Sequence, residues 1–129
     1  PDLRGLTEQQ LQNEMLTLEN EIYDITGLRT ALMRPPYGFV NDNVIRQLRD
    51  MGYKVIKWSV DTNDWRDMDI DQVLINTMPN IRDGSIILMH DYLTNSVTKE
   101  VLPEIIHSLR SQGYTFVTVD ELLGIEPYK

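Results

Sequence analysis

The octapeptide GSIILMHD, residues 84–91, decides the fold class of this chain. Gly84 and Ser85 precede an apolar run of four residues, and His90 and Asp91 follow it. A short apolar run that follows a turn residue is typical of a strand covered on both faces, as in a parallel sheet. The sequence therefore predicts a buried strand over residues 85–90 with polar side chains at its carboxyl end.

Strand and helix patterns alternate on both sides of this run. The predicted strands cover residues 30–33, 54–60, 85–90 and 114–119. The predicted helices cover residues 8–26, 42–50, 69–78 and 97–110, and Asp120 is expected to cap a last short helical turn. Such alternation indicates an α/β fold with about four parallel strands.

The first helix has the clearest local signals. Thr7 followed by Gln10 is a capping-box pattern, and Gly27 is a typical C-terminal stop. Between them, apolar residues recur at spacings of three and four and predict one apolar helical stripe. The members of this stripe are Leu11, Met15, Leu18, Ile22 and Ile25. The acidic residues of the same segment are interpreted as a solvated face; they are Glu8, Glu14, Glu19 and Glu21.

Two similar hexapeptides support the alternation. LRDMGY at residues 48–53 and LRSQGY at residues 109–114 each end a predicted helix, pass through a glycine and start a predicted strand after tyrosine. Glycine suits the left-handed conformation that commonly ends a helix. The repeat is interpreted as two similar helix–strand joints rather than as a duplicated site.

Polar residues follow three consecutive predicted strands. Arg34 follows the first, Asp61 and Asp64 follow the second, and His90 and Asp91 follow the third. Asp61 lies 27 residues after Arg34 and His90 lies 29 residues after Asp61, which is about one βα unit in each case. Because consecutive strands of a parallel barrel end on one face, these side chains are expected to converge.

The composition of the chain argues against several classes of partner and site. The chain has 129 residues with 12 Lys+Arg, 20 Asp+Glu and a formal charge of −8, which disfavours nucleic acids and anionic membranes as partners. No transmembrane segment is predicted, and the lack of cysteine excludes disulfides and thiolate zinc sites. A closed eight-unit barrel needs roughly 250 residues, so a further segment is expected to complete the sheet.

Three short sequences resemble motifs of one enzyme family. RPPYG (34–38), DTNDW (61–65) and LMHD (88–91) resemble, in order and spacing, the third, fourth and fifth motifs of the polysaccharide deacetylases. This is the NodB-homology family, or carbohydrate esterase family four. The resemblance continues through residues 113–114 and 117–123.

The resemblance implies a distorted (β/α) barrel that removes acetyl groups from N-acetylglucosamine units of chitin or peptidoglycan, or from acetylated xylan. It also implies a divalent metal, usually zinc, held by one Asp and two His of the first two motifs. Residues 1–3 resemble the stretch just after the second motif, so residues 1–129 are expected to be the C-terminal part of the domain. The resemblance therefore places no metal ligand in this chain and implies an N-terminal half as partner and an extracytoplasmic, bacterial location.

The family motifs also imply roles for individual residues. By resemblance, His90 is the general acid, Asp64 orients and charge-stabilises its imidazole, and Arg34 orients the catalytic base. The backbone N–H of Tyr37 would bind the oxyanion, and Trp65 and Leu88 would line the pocket for the acetyl methyl group. Tyr37 in place of an arginine favours glucosamine-type substrates.

Several alternatives stay open from the sequence alone. Asp61 either caps a turn or belongs to the site, Asp91 is a further candidate, and Trp65 could be a core residue. The domain could be a non-catalytic saccharide-binding remnant or an acetylxylan esterase. A third hypothesis is a metal site built from Asp64, His90 and Asp91, whose oxygen and imidazole donors suit several divalent ions.

Overall fold

The computed structural model describes residues 1–66, 69–91 and 97–129. The chain divides into two compact units, one formed by Pro1–Lys57 with Leu123–Lys129 and the other by Trp58–Leu122. Each unit contains one pair of parallel strands accompanied by α-helices. The predicted α/β class with parallel strands is therefore confirmed.

The first unit is a βαβ arrangement preceded by a long helix. Strand β1, Leu32–Met33, pairs in parallel with strand β2, Lys54–Val55. Helix α2, Asp42–Asp50, lies between them in the chain and begins at the predicted cap Asn41. The long helix is α1, Glu8–Thr26. The buried apolar residues of this unit's main cluster are Leu3, Leu11, Val44, Leu48 and Tyr53.

Helix α1 has the predicted ends. The Thr7 hydroxyl accepts the Gln10 N–H and the Gln10 side chain accepts the Thr7 N–H, while Gly27 takes a left-handed conformation with φ 72°. Its apolar stripe is buried only near the start of the helix. Leu18 is 57% exposed and Ile25 is 85% exposed, so the predicted apolar stripe is not buried along its whole length.

Glu19 is buried, which corrects its interpretation as part of a solvated face. Its side chain is 5% exposed and pairs with Arg29 at 3.0 Å and with the Lys129 ammonium at 2.5 Å. The Tyr53 hydroxyl donates to the same carboxylate. Burial would raise the pKa of Glu19, but the hydrogen bonds from Lys129, Tyr53 and Arg29 outweigh it and lower the pKa to about 2.

The C-terminal residues complete the first unit. The Ala31 N–H donates to the Pro127 carbonyl at 2.8 Å, and the Lys129 N–H donates to the Arg29 carbonyl at 2.8 Å. An isolated antiparallel bridge joins Thr30 to Tyr128. The last residues therefore run beside the segment that leads into β1 and bring the Lys129 ammonium to Glu19.

The second unit contains the strand of the GSIILMHD segment, residues 84–91. Strand β4, Ile87–Leu88, pairs in parallel with β3, Val60–Asp61. Helix α3, Ile70–Thr77, begins after the cap Asp69, and helix α4 covers Thr98–Ser111. The buried apolar cluster comprises Val60, Val73, Ile81, Val97, Val101, Ile105 and Leu109. Among the described residues, no helix combines the length and apolarity needed to cross a membrane.

The predicted strand over residues 54–60 is two strands. Lys54–Val55 pairs with β1, whereas Val60–Asp61 pairs with β4. The Ser59 and Val60 amides both donate to the Ile86 carbonyl, which is the pattern of a bulge and breaks a regular ladder. The sequence predicts one strand, but the hydrogen-bonding partner changes within it.

The predicted strand over residues 114–119 is not formed within the described parts of the chain. Residues 114–118 have no strand partner there, and Val119 already begins helix α5, Val119–Leu123. Asp120 consequently lies in the first turn of α5 instead of capping it. An extended segment becomes a strand only when a neighbour supplies the ladder hydrogen bonds.

Candidate active site

His90 and Asp64 meet at the carboxyl ends of β4 and β3. The imidazole Nδ1 of His90 lies 2.8 Å from Oδ1 of Asp64, and the His90 backbone N–H donates to Oδ2 at 2.7 Å. Asp64 is fully buried and the His90 side chain is 25% exposed. The carboxylate thus holds His90 by both its backbone and its ring.

Thr98, at the start of α4, is a third partner that the sequence argument missed. Its hydroxyl donates to Oδ2 of Asp64 at 2.5 Å. Burial would raise the pKa of Asp64, but the hydrogen bonds from Thr98 and His90 outweigh it and keep this pKa below its usual value. The sequence alone did not indicate this role, because a threonine in the first turn of a predicted helix is an ordinary helix residue.

Hydrogen bonds hold the loop after β3 in a conformation in which the Asp64 side chain contacts His90. The Thr62 hydroxyl donates to the Leu88 carbonyl at 2.9 Å and accepts the Asp64 N–H at 3.3 Å. The Asp61 carboxylate accepts the Asn63 N–H at 3.0 Å, and Asn63 has a positive φ of 54°. Asparagine tolerates this conformation better than most residues. Local turn chemistry and one cross-strand hydrogen bond therefore fix the buried carboxylate.

The other predicted residues of this unit have different surroundings. Asp61 makes the turn contact just described, which is the alternative to a site role that the sequence left open. Leu88 is the last residue of β4 and is partly buried, Trp65 is 47% exposed, and Asp91 is exposed. Trp65 is therefore not a core residue in this unit, and its proposed pocket role stays a prediction.

Arg34 and Tyr37 belong to the first unit. Arg34 directly follows β1 and lines a largely apolar cavity of about 310 Å³ together with Leu32, Met33 and Pro36. Tyr37 lies in a 3₁₀ turn, Pro36–Gly38, with a positive φ of 58° and a side chain that is 74% exposed. Left-handed backbone in a bulky residue is a local strain, often found at functional sites. The convergence of Arg34 with Asp64 and His90 stays a prediction.

Asp64 and His90 cannot both ligate one metal ion through the atoms by which they contact each other. The described ranges contain no group of three His, Cys, Asp or Glu side chains that could hold one. The Asp64 carboxylate is surrounded by three hydrogen-bond donors, and the ring Nδ1 of His90 faces that carboxylate. A metal site built from Asp64, His90 and Asp91 is not supported by this geometry, because two of its ligands are engaged with each other.

The sequence resemblance extends to known proteins. The sequence model of the family described as polysaccharide deacetylase matches residues 1–56. A peptidoglycan-N-acetylglucosamine deacetylase of Listeria monocytogenes, PgdA, is 39% identical over 124 residues, which cover 96% of this chain and 26% of that protein. The chain resembles polysaccharide deacetylases along most of its length. The predicted resemblance is thereby confirmed.

Solved structures of polysaccharide deacetylases are similar along the chain. The Bc1960 peptidoglycan N-acetylglucosamine deacetylase matches with a TM-score of 0.93 and 27% identity, covering all of this chain and 61% of that one. BA3943 of Bacillus anthracis, a family-four pseudoenzyme, matches with a TM-score of 0.86 and 30% identity, covering 95% of this chain and 43% of that one. The chain therefore has the fold of part of such a domain, and spans between about a quarter and three fifths of these relatives.

Proposed function

We propose that this chain supplies the His–Asp part of the active site of a polysaccharide N-deacetylase, a hydrolase of linear amide bonds. The substrates are N-acetylglucosamine-containing polymers, either chitin oligomers or peptidoglycan. One observation carries the proposal: the contact between His90 Nδ1 and the buried carboxylate of Asp64. It occurs in a chain that is similar to peptidoglycan-N-acetylglucosamine deacetylases over most of its length.

The pair suits the step that makes amide hydrolysis difficult. When the oxygen of water adds to the acetyl carbonyl carbon, the carbon–nitrogen bond can break only if the leaving amine gains a proton. Histidine is the side chain best matched to this transfer near neutral pH. Because Nδ1–H faces Asp64, the imidazolium form of His90 gives the proton from Nε2 and is left neutral, while the carboxylate base takes the proton that the attacking water loses. The products are acetate and the free amine of the sugar.

The remaining predicted roles concern binding and orientation. Arg34 orients a carboxylate base, and a guanidinium does so through a bidentate contact that also keeps the base ionised. The Tyr37 backbone N–H donates to the developing oxyanion. Trp65 and Leu88 border the pocket for the acetyl methyl group. Asp61 and Asp91 have no assigned step.

The proposal includes partners outside this chain. A segment with the remainder of the domain supplies the catalytic base and the ligands of a divalent metal, zinc by family resemblance, since the described residues of this chain offer no such ligand set. The substrate polymers lie outside the cytoplasm, so the protein is proposed to act there, as the names of its peptidoglycan deacetylase relatives suggest.

Acetate release from a complemented domain tests this function. The chain is joined to a segment that carries an Asp-Asp pair and a His-x-x-x-His pair, and is assayed with chitooligosaccharides, peptidoglycan and acetylated xylan. His90→Ala is expected to lower kcat by at least about 100-fold, the usual range for a lost general acid. His107→Ala is the control, because His107 is exposed on α4. Equal rates for the two variants would contradict the proposal.

A second candidate is a saccharide-binding domain without turnover. The likeness to the pseudoenzyme BA3943 favours it, since a closely similar fold is described there as a pseudoenzyme. In that case the complemented chain binds chitooligosaccharides in calorimetry but releases no acetate at any metal concentration. Preferential release from acetylated xylan would instead indicate an esterase of the same fold.

A further inference from the structure

The Asp64 carboxylate is held by donors from two different elements. On the side of β4, His90 contributes its backbone N–H to Oδ2 and its ring Nδ1 to Oδ1. On the side of α4, the Thr98 hydroxyl donates to Oδ2 at 2.5 Å. Residues 64 and 98 are 34 positions apart in the chain, so this last contact is a tertiary one.

These donors fix which atom of His90 can exchange a proton with a substrate. An ionised carboxylate can only accept hydrogen bonds, so the ring nitrogen beside it must carry the hydrogen. Rotation of the Asp64 carboxylate about its terminal bond would break this alignment, and such a torsion has a broad energy well. The Thr98 hydroxyl opposes the rotation because it binds Oδ2 from a separate element.

We propose that Thr98 is a positioning residue of the active site, which acts by fixing the Asp64 carboxylate so that it holds His90 with the hydrogen on Nδ1. The role depends on the hydroxyl and not on the γ-methyl group. Thr98 touches neither substrate nor the reacting atoms in this scheme. The inference rests on the proposed function for its catalytic consequence, but its structural consequence can be measured without turnover.

The first test uses nitrogen NMR of His90 in the 129-residue chain. In the unchanged chain, the neutral imidazole is expected to be in the Nδ1–H form, with a hydrogen-bonded ring proton shifted far downfield. Thr98→Val keeps the shape and removes the hydroxyl, and is expected to broaden or lose that proton and to populate the Nε2–H form. Thr98→Ser keeps the hydroxyl and is expected to restore the original spectrum.

A matched control separates this effect from the loss of any buried hydroxyl. Thr77 is also buried in the second unit, but its hydroxyl donates to the Val73 carbonyl of its own helix at 2.7 Å. Thr77→Val should leave the His90 spectrum unchanged. If Thr98→Val does not fold, Thr98→Ala and Thr98→Ser form a second pair that differs only in the hydroxyl.

The second test measures kcat and KM in the complemented domain. Thr98→Val is expected to lower kcat by about ten-fold or more, the size of one lost hydrogen bond to a charged group, with KM nearly unchanged. Thr98→Ser should recover most of kcat. An unaltered His90 spectrum in Thr98→Val overturns the inference, whatever the activity. An altered spectrum in a domain without turnover overturns the proposed function alone.

Discussion

At the scale of single residues, the buried Asp64 carboxylate is the feature on which the proposed chemistry depends. Asp64→Asn keeps the shape of the side chain but removes its charge and one acceptor oxygen. The amide cannot stabilise an imidazolium on His90, so deacetylation by the complemented domain is expected to fall by at least about 100-fold. Steady-state acetate release measures the loss, and circular dichroism checks that the fold is retained.

Asp61→Asn is the matched control for that substitution. Asp61 accepts the Asn63 N–H in a turn, and an asparagine oxygen can accept the same hydrogen bond. Activity is therefore expected to change little. A loss as large as that of Asp64→Asn would assign Asp61 to the site and reject the turn interpretation.

Glu19 makes a pH-dependent contribution to the stability of the first unit. Its pKa is lowered from 4.5 to about 2, so the folded state holds the proton less tightly than the unfolded chain. The stabilisation is therefore complete above pH 4.5 and disappears as the pH falls towards 2. Its size is at most about 3 kcal/mol. Glu19→Gln should lower the free energy of unfolding at pH 7 but have almost no effect near pH 2.

Urea unfolding between pH 7 and pH 2 measures this difference. Glu21→Gln is the control, since Glu21 lies on the same helix and is exposed. A constant difference between the Glu19→Gln variant and the unchanged chain at all pH values would show that shape, not charge, determines the effect.

At the scale of elements, Gly52 and Gly113 occupy equivalent positions in the two helix–strand joints, so their substitutions can be compared directly. Gly52 has φ 86° and Gly113 has φ 91°, so an alanine at either position is strained by about 1–2 kcal/mol. A Cβ on Gly113 meets nothing within 4 Å, whereas one on Gly52 lies 3.4 Å from the Lys129 side chain. Gly52→Ala and Gly113→Ala are expected to destabilise the protein by similar amounts, because 3.4 Å from the flexible Lys129 side chain is an ordinary van der Waals contact.

Thermal and urea unfolding of both alanine variants test this comparison. Replacing each glycine by asparagine should be milder, since asparagine tolerates the left-handed region. A much larger loss of stability at one glycine than at the other would contradict this expectation.

Local chemistry explains which elements the sequence could predict. The caps Thr7, Asn41 and Asp69 each bind amides two or three residues away, so the signals for helix starts lie within one turn. Strands depend on distant partners. The run over residues 54–60 gave no sign that its partner changes, and residues 114–118 follow the same kind of joint as β2 without a described partner.

The candidate site was predictable only where its contacts follow from the pairing of neighbouring strands. His90 and Asp64 follow neighbouring strands, and parallel pairing of those strands brings them together as expected. Thr98 was not predictable because its contact depends on where α4 lies, which no local pattern encodes. The burial of Glu19 was missed for a related reason: its partners Tyr53 and Lys129 come from distant parts of the chain, and Arg29 lies beyond the end of α1.

At the scale of the whole molecule, several large apolar side chains are exposed. Leu18 and Ile25 are exposed on α1, and Phe116 and Val117 are exposed in the segment before α5. Exposed strand-like segments with apolar side chains readily pair with another chain. The relatives also contain residues beyond the part matched here, since the chain covers 61% of the Bc1960 chain. These observations support the proposal that a further segment packs against this one.

Amide hydrogen exchange provides the test of this packing. In the isolated chain, the amides of residues 114–118 are expected to exchange quickly because the described structure gives them no ladder partner, while those of α4 are protected. Adding the complementing segment should slow exchange at residues 114–118 and leave α4 unchanged, since a new neighbouring strand protects the amides that it binds. If complementation restores acetate release without protecting residues 114–118, the added segment pairs elsewhere and this surface has another role.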